Sequence, residues 1–327
     1  MKSLRNGISA SLMVCALSLS AAPVAAETFI VAVGAASNSL QGRSAAKFAE
    51  DLQAELGDAH TIEFYADAQL GDEKELMQKL RLGTVQFTLI SSIMTNVAPE
   101  FALFDMPFLV KDRAHLKAID AEIVQTELAP KTEESGLKVL STWENGFRQI
   151  TNNKRPINTP ADLAGLKIRT PSSEWRVAMF TEWGANPTPM SFSEVFVALQ
   201  TGTMDGQENP LTNITGANFQ EVQKYLSLTG HVYSPAYLTT GLESWNNLPD
   251  DVKSAVRSVA ASVQDWALAE GETADNELVD KVKAAGMEVN AADKNAFIEA
   301  SAPIYKAFAE QVEGGDDLVS RAQALAK

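Results

Sequence analysis

An α/β fold in two similar lobes is predicted by three features of the sequence. Short β-branched runs alternate with segments of helical period from residue 28 onward, the grammar of helices on both faces of a mostly parallel sheet. The segments LRLGTVQF (80–87) and LQTGTMDG (199–206) echo one another, each a helix end, a glycine and a strand start. Between 249 and 285 a helical pattern runs too long for one compact lobe and suits a helix lying across two.

Taken in order, TFIVAV (28–33) reads as a strand and 39–56 as a helix, with Phe48, Leu52 and Leu56 four apart on one face. A second strand, HTIEFY, precedes Gly71 and Asp72, which introduce the helix EKELMQKLRLG closed by Gly83; TVQFTLIS is a third strand. LKVLST and FRQITN read as two further strands. Thr159-Pro160 starts a short helix that Gly165 ends before the strand KIRT. Ser191 and Glu194 have capping-box spacing for a helix that stops at Gly202. In the long helix Val252, Val256, Val259, Val263 and Trp266 repeat at four and three, with one interior glycine, Gly271, and Gly286 as the stop. The remainder reads as one or two terminal helices.

The first 26 residues read as a secretory signal. Lys2 and Arg5 precede an apolar run, 8–19, too short to span a bilayer, and Val24 and Ala26 stand where a signal peptidase reads. Cys15 follows Val14, not the small residue a lipoprotein anchor needs, so the mature chain has no cysteine and depends on a buried core. Losing Lys2 and Arg5 takes the formal charge from -15 to -17, which argues against polyanionic partners such as nucleic acid or anionic lipid.

Within so acidic a chain, residues 145–171 gather Arg148, Lys154, Arg155, Lys167 and Arg169 against one acid, Asp162. Arg148 and Arg169 fall on predicted strands separated by a turn and a short helix, so both can reach one strand-end cleft, where open α/β sheets bind ligands. A guanidinium bonds both oxygens of a carboxylate, so the pair points to an anionic ligand; a structural ion pair is the competing reading for either residue. Lys154, Arg155 and Lys167 read as solvated turn and edge cations. Asn209, in GQENP, can offer a ligand both a donor and an acceptor or cap its own turn. Glu73 at a helix start, and Asn38 and Gln41 after the first strand, are candidates for hydroxyl contacts. Catalytic spacing is missing: His60, His115 and His231 are isolated, and no HExxH, GxSxG, GxxxxGK[ST] or GxGxxG occurs, so neither a metal nor a cofactor is expected. The triplet at Asn213 matches a glycosylation acceptor, which means little in a bacterial chain.

ENGFRQITNNKRPINTPADLAGLKIRTP, with ANPTPMSFSEVFVALQTGTMDGQENP after it and LGDEKELMQKLRLGTVQFTLIS before it, resembles the solute-binding proteins of tripartite ATP-independent periplasmic (TRAP) transporters, dicarboxylate-type branch. The resemblance implies a periplasmic protein of two α/β lobes closing like a flytrap on an organic anion, which a permease of small and large membrane subunits then takes up. It places the carboxylate-gripping arginine at Arg169, a second arginine at Arg148 and a ligand-contacting asparagine at Asn209. Glu73, Asn38, Ser92, Phe192 and Tyr233 fall on segments that line the cleft in such proteins. It divides the chain into residues 27–145 with 234–273 and residues 146–233 with 274–327, and implies a monomer. The spellings ENGFR and GQENP favour a hexuronate such as D-glucuronate or D-galacturonate, with four-carbon dicarboxylates, sulfonates and other hydroxy acids as alternatives. Two other readings are a periplasmic lyase or isomerase with His231 or Glu73 as acid/base, and an amino-acid binder with Glu73 or Glu208 facing an ammonium group. Intact-mass measurement of exported protein is expected to show a chain beginning at Glu27; retention of residues 1–26 with an attached lipid would contradict the signal reading.

Overall fold

The computed structural model describes residues 27–326, so the expected signal segment lies outside the described residues. Its strands are β1 (Glu27–Ala32), β2 (His60–Tyr65), β3 (Phe87–Ile90), β4 (Leu137–Asn152), β5 (Lys167–Thr170), β6 (Asn186–Pro189), β7 (Gly206–Pro210), β8 (Tyr225–Leu228), β9 (Tyr233–Gly241) and β10 (Glu288–Ala291). They form one ten-stranded sheet in the order β2-β1-β3-β9-β4-β7-β5-β6, with β8 on the far part of β4 and β10 beside β8. The expected mostly parallel sheet is instead mixed. Pairings within β1 to β3, among β5 to β7 and between β8 and β10 are parallel, but every pairing of β4 or β9 with a neighbour is antiparallel.

The two strands expected from LKVLST and FRQITN are one. β4 pairs with β9 from Leu137 to Phe147, then with β7 and β8 from Arg148 to Asn152, so a single strand belongs to both halves of the sheet. The register slips between Glu144 and Gly146 just before the partners change, and Gly146 sits at φ 124°, a conformation that strains any side-chain-bearing residue.

Local chemistry explains most element boundaries. Ser39 accepts from the Gly42 amide at the start of the helix Leu40–Leu56, and Thr159 and Asp162 make the reciprocal capping box ahead of Leu163. Ser191 departs from expectation: its side chain caps nothing, and a 3₁₀ turn, Phe192–Glu194, leads into the short helix Val195–Gln200. The long helix, Asp250–Ala284, puts Val256 and Val263 among Phe29, Phe48, Phe87 and Trp143 in one core and Val282 among Leu199, Phe219 and Leu226 in another. It therefore ties both halves, each buried aliphatic adding about 1.5–3 kcal/mol. Beyond it lie β10 and three helices, Lys294–Ala300, Ala302–Gln311 and Gly315–Ala324, more than the sequence suggests. The last two touch both halves: Phe308 meets Trp175 edge-on, while the Tyr305 hydroxyl donates to the Pro107 carbonyl (2.8 Å) and the His115 ring bonds the Ala322 carbonyl (2.6 Å).

At the crossing of β4, β9 and the long helix, Glu144 is fully buried. It accepts from the Tyr233 hydroxyl and from Arg113 (2.8 Å), which also holds Asp275 of the long helix (2.7 Å). Gly271 makes this possible, because a Cβ there would stand 2.6 Å from Glu144 Cγ and 2.7 Å from Oε1. Burial pushes the Glu144 carboxyl up to about 7 against the pull of Arg113. Gly271→Ala is expected to destabilise the protein by about 1–3 kcal/mol through overpacking, despite a gain of about 1 kcal/mol in helix propensity. Urea denaturation checks this, and an unchanged or raised midpoint would contradict the close packing.

Candidate functional site

A cavity of about 480 Å³ lies between the two halves of the sheet. Gly34, Gln41, Glu73, Ser91, Ser92 and Asn145 line one wall; Arg148, Arg169, Met190, Phe192, Asn209 and Asn213 line the other. Ser91 and Ser92 directly follow β3, and Arg169 stands near the carboxyl end of β5, the strand ends at which open sheets bind ligands. Across the mouth, Ser193 Oγ donates to Asp72 Oδ2 (2.6 Å) and Asn96 Nδ2 to the Ser172 carbonyl (2.8 Å).

The two arginines occupy different electrostatic situations. Arg148 is 2% exposed and its fork is taken by the protein: Nε and Nη2 hold the Glu208 carboxylate, and Nη2 also meets the Glu208 carbonyl (2.6 Å) and Asn209 Oδ1 (3.1 Å). Glu208 receives Arg176 (2.8 Å) and His231 Nε2 (3.2 Å) as well, and Arg176 reaches on to Asp105 (2.5 Å). The cluster balances two guanidinium groups with two carboxylates. Burial opposes charge on Glu208, yet Arg148 and Arg176 hold it well below the usual carboxylate range, while burial pushes the His231 pKa down against the pull of Glu208. The structural ion-pair reading is therefore realised at Arg148, though the residue still lines the cavity.

Arg169 has no such partner. It is 4% exposed, and its Nε (2.9 Å) and Nη2 donate to the Met190 carbonyl; among the described residues no carboxylate forms a salt bridge with it. Phe192 lies beside the guanidinium, 6.0 Å from ring centroid to Cζ. Burial, reinforced by the charge of Arg148, lowers the Arg169 pKa to about 10. A buried cation without a counter-ion is costly, and an anion entering the cavity removes that cost.

Glu73 opens the helix Glu73–Arg81 at the cavity wall, one oxygen accepting from the Ser91 amide (3.1 Å). Burial raises its carboxyl to about 7, with Asp72 adding to the shift and Arg169 and Arg148 opposing it. Asn209 Nδ2 donates to Gln207 Oε1 (2.6 Å). Ser92, Phe192 and Gln41 line the cavity as well. Asn38 is exposed and outside the lining, and Tyr233 is buried with its hydroxyl on Glu144, also outside it. Glu208 is consumed by the ion cluster and cannot face a ligand ammonium. His231 sits against Thr229, Phe180 and Trp183, away from the cavity. Arg155 is held by backbone carbonyls, Lys154 pairs with Asp205 (3.3 Å) near the surface and Lys167 is exposed, as their turn and edge positions suggest. Asn145 and Asn213 were not singled out as ligand residues from the sequence; their nearness in sequence to Arg148 and Asn209 is the signal that marks them.

A cavity of this size between two sheet halves, holding a buried guanidinium with no carboxylate partner among the described residues, is that of a receptor for a small organic anion. The chain belongs to the bacterial extracellular solute-binding proteins, family 7, which it matches over residues 31–311. It is 36% identical over 280 residues to the 2,3-diketo-L-gulonate-binding periplasmic protein YiaO of Escherichia coli K12, covering 84% of this chain and 85% of that one. Among solved structures it is similar to a TRAP periplasmic solute-binding protein from Polaromonas sp. JS666 bound to D-erythronate (TM-score 0.86, 33% identity, 92% and 99% of the two chains). It is also similar to one from Sulfurospirillum deleyianum with bound succinate (TM-score 0.87, 31% identity, 92% and 99%). The family comprises transport solute-binding proteins for organic acids and not enzymes, so the lyase or isomerase reading falls away.

The raised pKa of Glu73 gives a signed expectation. The native state holds a proton that the unfolded chain, near 4.5, has released, so this residue's contribution to stability falls as pH rises from about 4.5 to 7. Glu73→Gln should leave the ligand-free melting temperature unchanged at pH 4 and raise it at pH 8. The gain is at most about 3 kcal/mol, reduced by whatever screening cavity water provides. A melting difference independent of pH would contradict this environment.

Proposed function

We propose that this chain captures a hydroxylated monocarboxylate in the periplasm, a sugar acid of the class that includes D-glucuronate and D-galacturonate, and hands it unchanged to the small and large membrane subunits of a TRAP transporter. The unmatched, buried guanidinium of Arg169 carries the reading. Its free N–H groups donate to a ligand carboxylate, while Arg148 and Asn209 complete that end of the cavity without supplying a second free cation. Residues 27–145 with 234–273 close on 146–233 with 274–327, the long helix and β4 serving as the joints, and the protein works as a monomer. Closure expels water and strengthens the contact through a lower local dielectric. The sugar-acid ligands of the Escherichia coli and Polaromonas relatives support this choice. The succinate of the Sulfurospirillum relative makes a four-carbon dicarboxylate the second reading.

Arg169→Ala is expected to weaken binding roughly thirtyfold to several thousandfold, the effect of about 2–5 kcal/mol for truncating one side of a buried charged pair. Arg169→Lys keeps the charge but loses the planar fork and recovers only part of the affinity. Calorimetric titration with D-galacturonate and D-glucuronate, beside ligand-free melting curves, tests this. Affinity within threefold of wild type for Arg169→Ala would remove the assignment.

A further inference from the structure

We infer that Asn213 selects hydroxyl-bearing acids over acids without hydroxyls, because its side-chain oxygen is a buried acceptor, in a residue on the cavity wall, that no described protein donor satisfies. The inference rests on Arg169 as the carboxylate seat and assigns what the rest of the cavity recognises.

The argument begins with a relay of side-chain amides whose polarity is fixed at both ends. The Pro235 carbonyl can only accept, so the Ser91 hydroxyl donates to it (2.7 Å) and Ser91 Oγ is left to accept from Asn145 Nδ2 (3.0 Å). Asn145 Oδ1 must then accept from Asn213 Nδ2 (3.1 Å). At the other end Arg148 can only donate, so Asn209 Oδ1 faces it (3.1 Å) and also accepts from Asn213 Nδ2 (3.3 Å). Turning the Asn213 amide over would set its oxygen against two other oxygens. Both ends therefore force the same result: Asn213 Oδ1 is the free atom. It is buried in a residue 5% exposed on the cavity wall, and it has no hydrogen-bond partner among the described residues.

A buried acceptor left unpaired is a deficit that a ligand donor repairs. The cavity thus offers donors at Arg169 and an unpaired acceptor at Asn213. A ligand with one carboxylate and several hydroxyls meets both. An acid without hydroxyls, such as a four-carbon dicarboxylate, brings no donor to Asn213 Oδ1 and leaves that acceptor unpaired.

The test uses calorimetric titration of the wild-type protein with D-galactonate, D-galacturonate, succinate and hexanoate, the last carrying a carboxylate without hydroxyls. At least one sugar acid is expected to bind about a hundredfold or more tighter than succinate or hexanoate, since a site built to bond hydroxyls rejects analogues lacking them. Asn213→Leu, which keeps the side-chain volume but removes the oxygen, should weaken the sugar acid about tenfold or more. Asn213→Ala should weaken the sugar acid by a similar factor, with a smaller loss for hexanoate. Because Asn213 is buried, each variant's melting curve accompanies its titration, and the wild-type ranking stands independently of the variants. A wild type that prefers succinate or hexanoate, or that binds none of the four acids, would overturn the inference, as would variants that keep the wild-type sugar acid to succinate ratio within threefold. Arg169→Ala distinguishes the two levels: loss of all binding by this variant with an unchanged ratio in the others leaves the seat standing and removes only the selection rule.

Discussion

The buried cluster of Arg148, Glu208, Arg176 and Asp105 governs what the rest of the site can be. It joins β4, β7, the helix Glu174–Glu182 and the segment Pro99–Asp105, elements distant in sequence, through contacts almost wholly sealed from water. Removing one member of such a cluster leaves an uncompensated buried charge and typically costs about 3–5 kcal/mol, so its members are bound to one another before any ligand arrives. Because the cluster is internally neutral, Arg148 has no spare charge for a ligand. The demand for an anion falls on Arg169, one strand beyond β7, where the only described partner of the guanidinium is a backbone carbonyl. A chain of strongly negative net charge thus keeps one local positive site by using up its other buried cations.

The second constraint is the crossing of β4, β9 and the long helix. Two continuous elements, β4 and the long helix, run from one half of the sheet or core to the other, and where they meet β9, Glu144 is held by Arg113 and Tyr233, with Arg113 also on Asp275, and packs against the missing Cβ of Gly271. Uninterrupted strands and a helix resist shear but allow bending where a bulge and a glycine relax the backbone, and both are found at Glu144 to Gly146. The cavity lies beside this crossing, where Asn145 follows Glu144 in β4 and lines its wall.

Much of this was legible in the sequence because it is local. The strand KIRT and the helices Leu40–Leu56, Glu73–Arg81 and Asp250–Ala284 follow from periodicity, caps and stop glycines, which act over a few residues. Arg169, Asn209 and Glu73 line the cavity because their positions follow strand ends and helix starts that local pattern reveals. What the sequence hid depends on long-range pairing. Nothing near Arg148 shows that Glu208 will occupy its fork, or that His231 will lie against the same carboxylate. β4 looked like two strands because its change of partners, not a break in its backbone, produces the change of pattern. Asn213 resembled a glycosylation triplet because the relay that fixes its amide needs Ser91, Asn145 and Asn209 together, and Ser191 failed to cap because a 3₁₀ turn replaced the expected first turn of helix.

The most direct test of the central claim is a crystal structure of the protein with a bound sugar acid, identified beforehand by native mass spectrometry of the gently purified chain. The account predicts the ligand carboxylate on the Arg169 guanidinium through two parallel hydrogen bonds, with Arg148 still paired to Glu208. A carboxylate seated elsewhere, or an Arg169 turned onto a protein acid while Arg148 leaves Glu208 for the ligand, would contradict it.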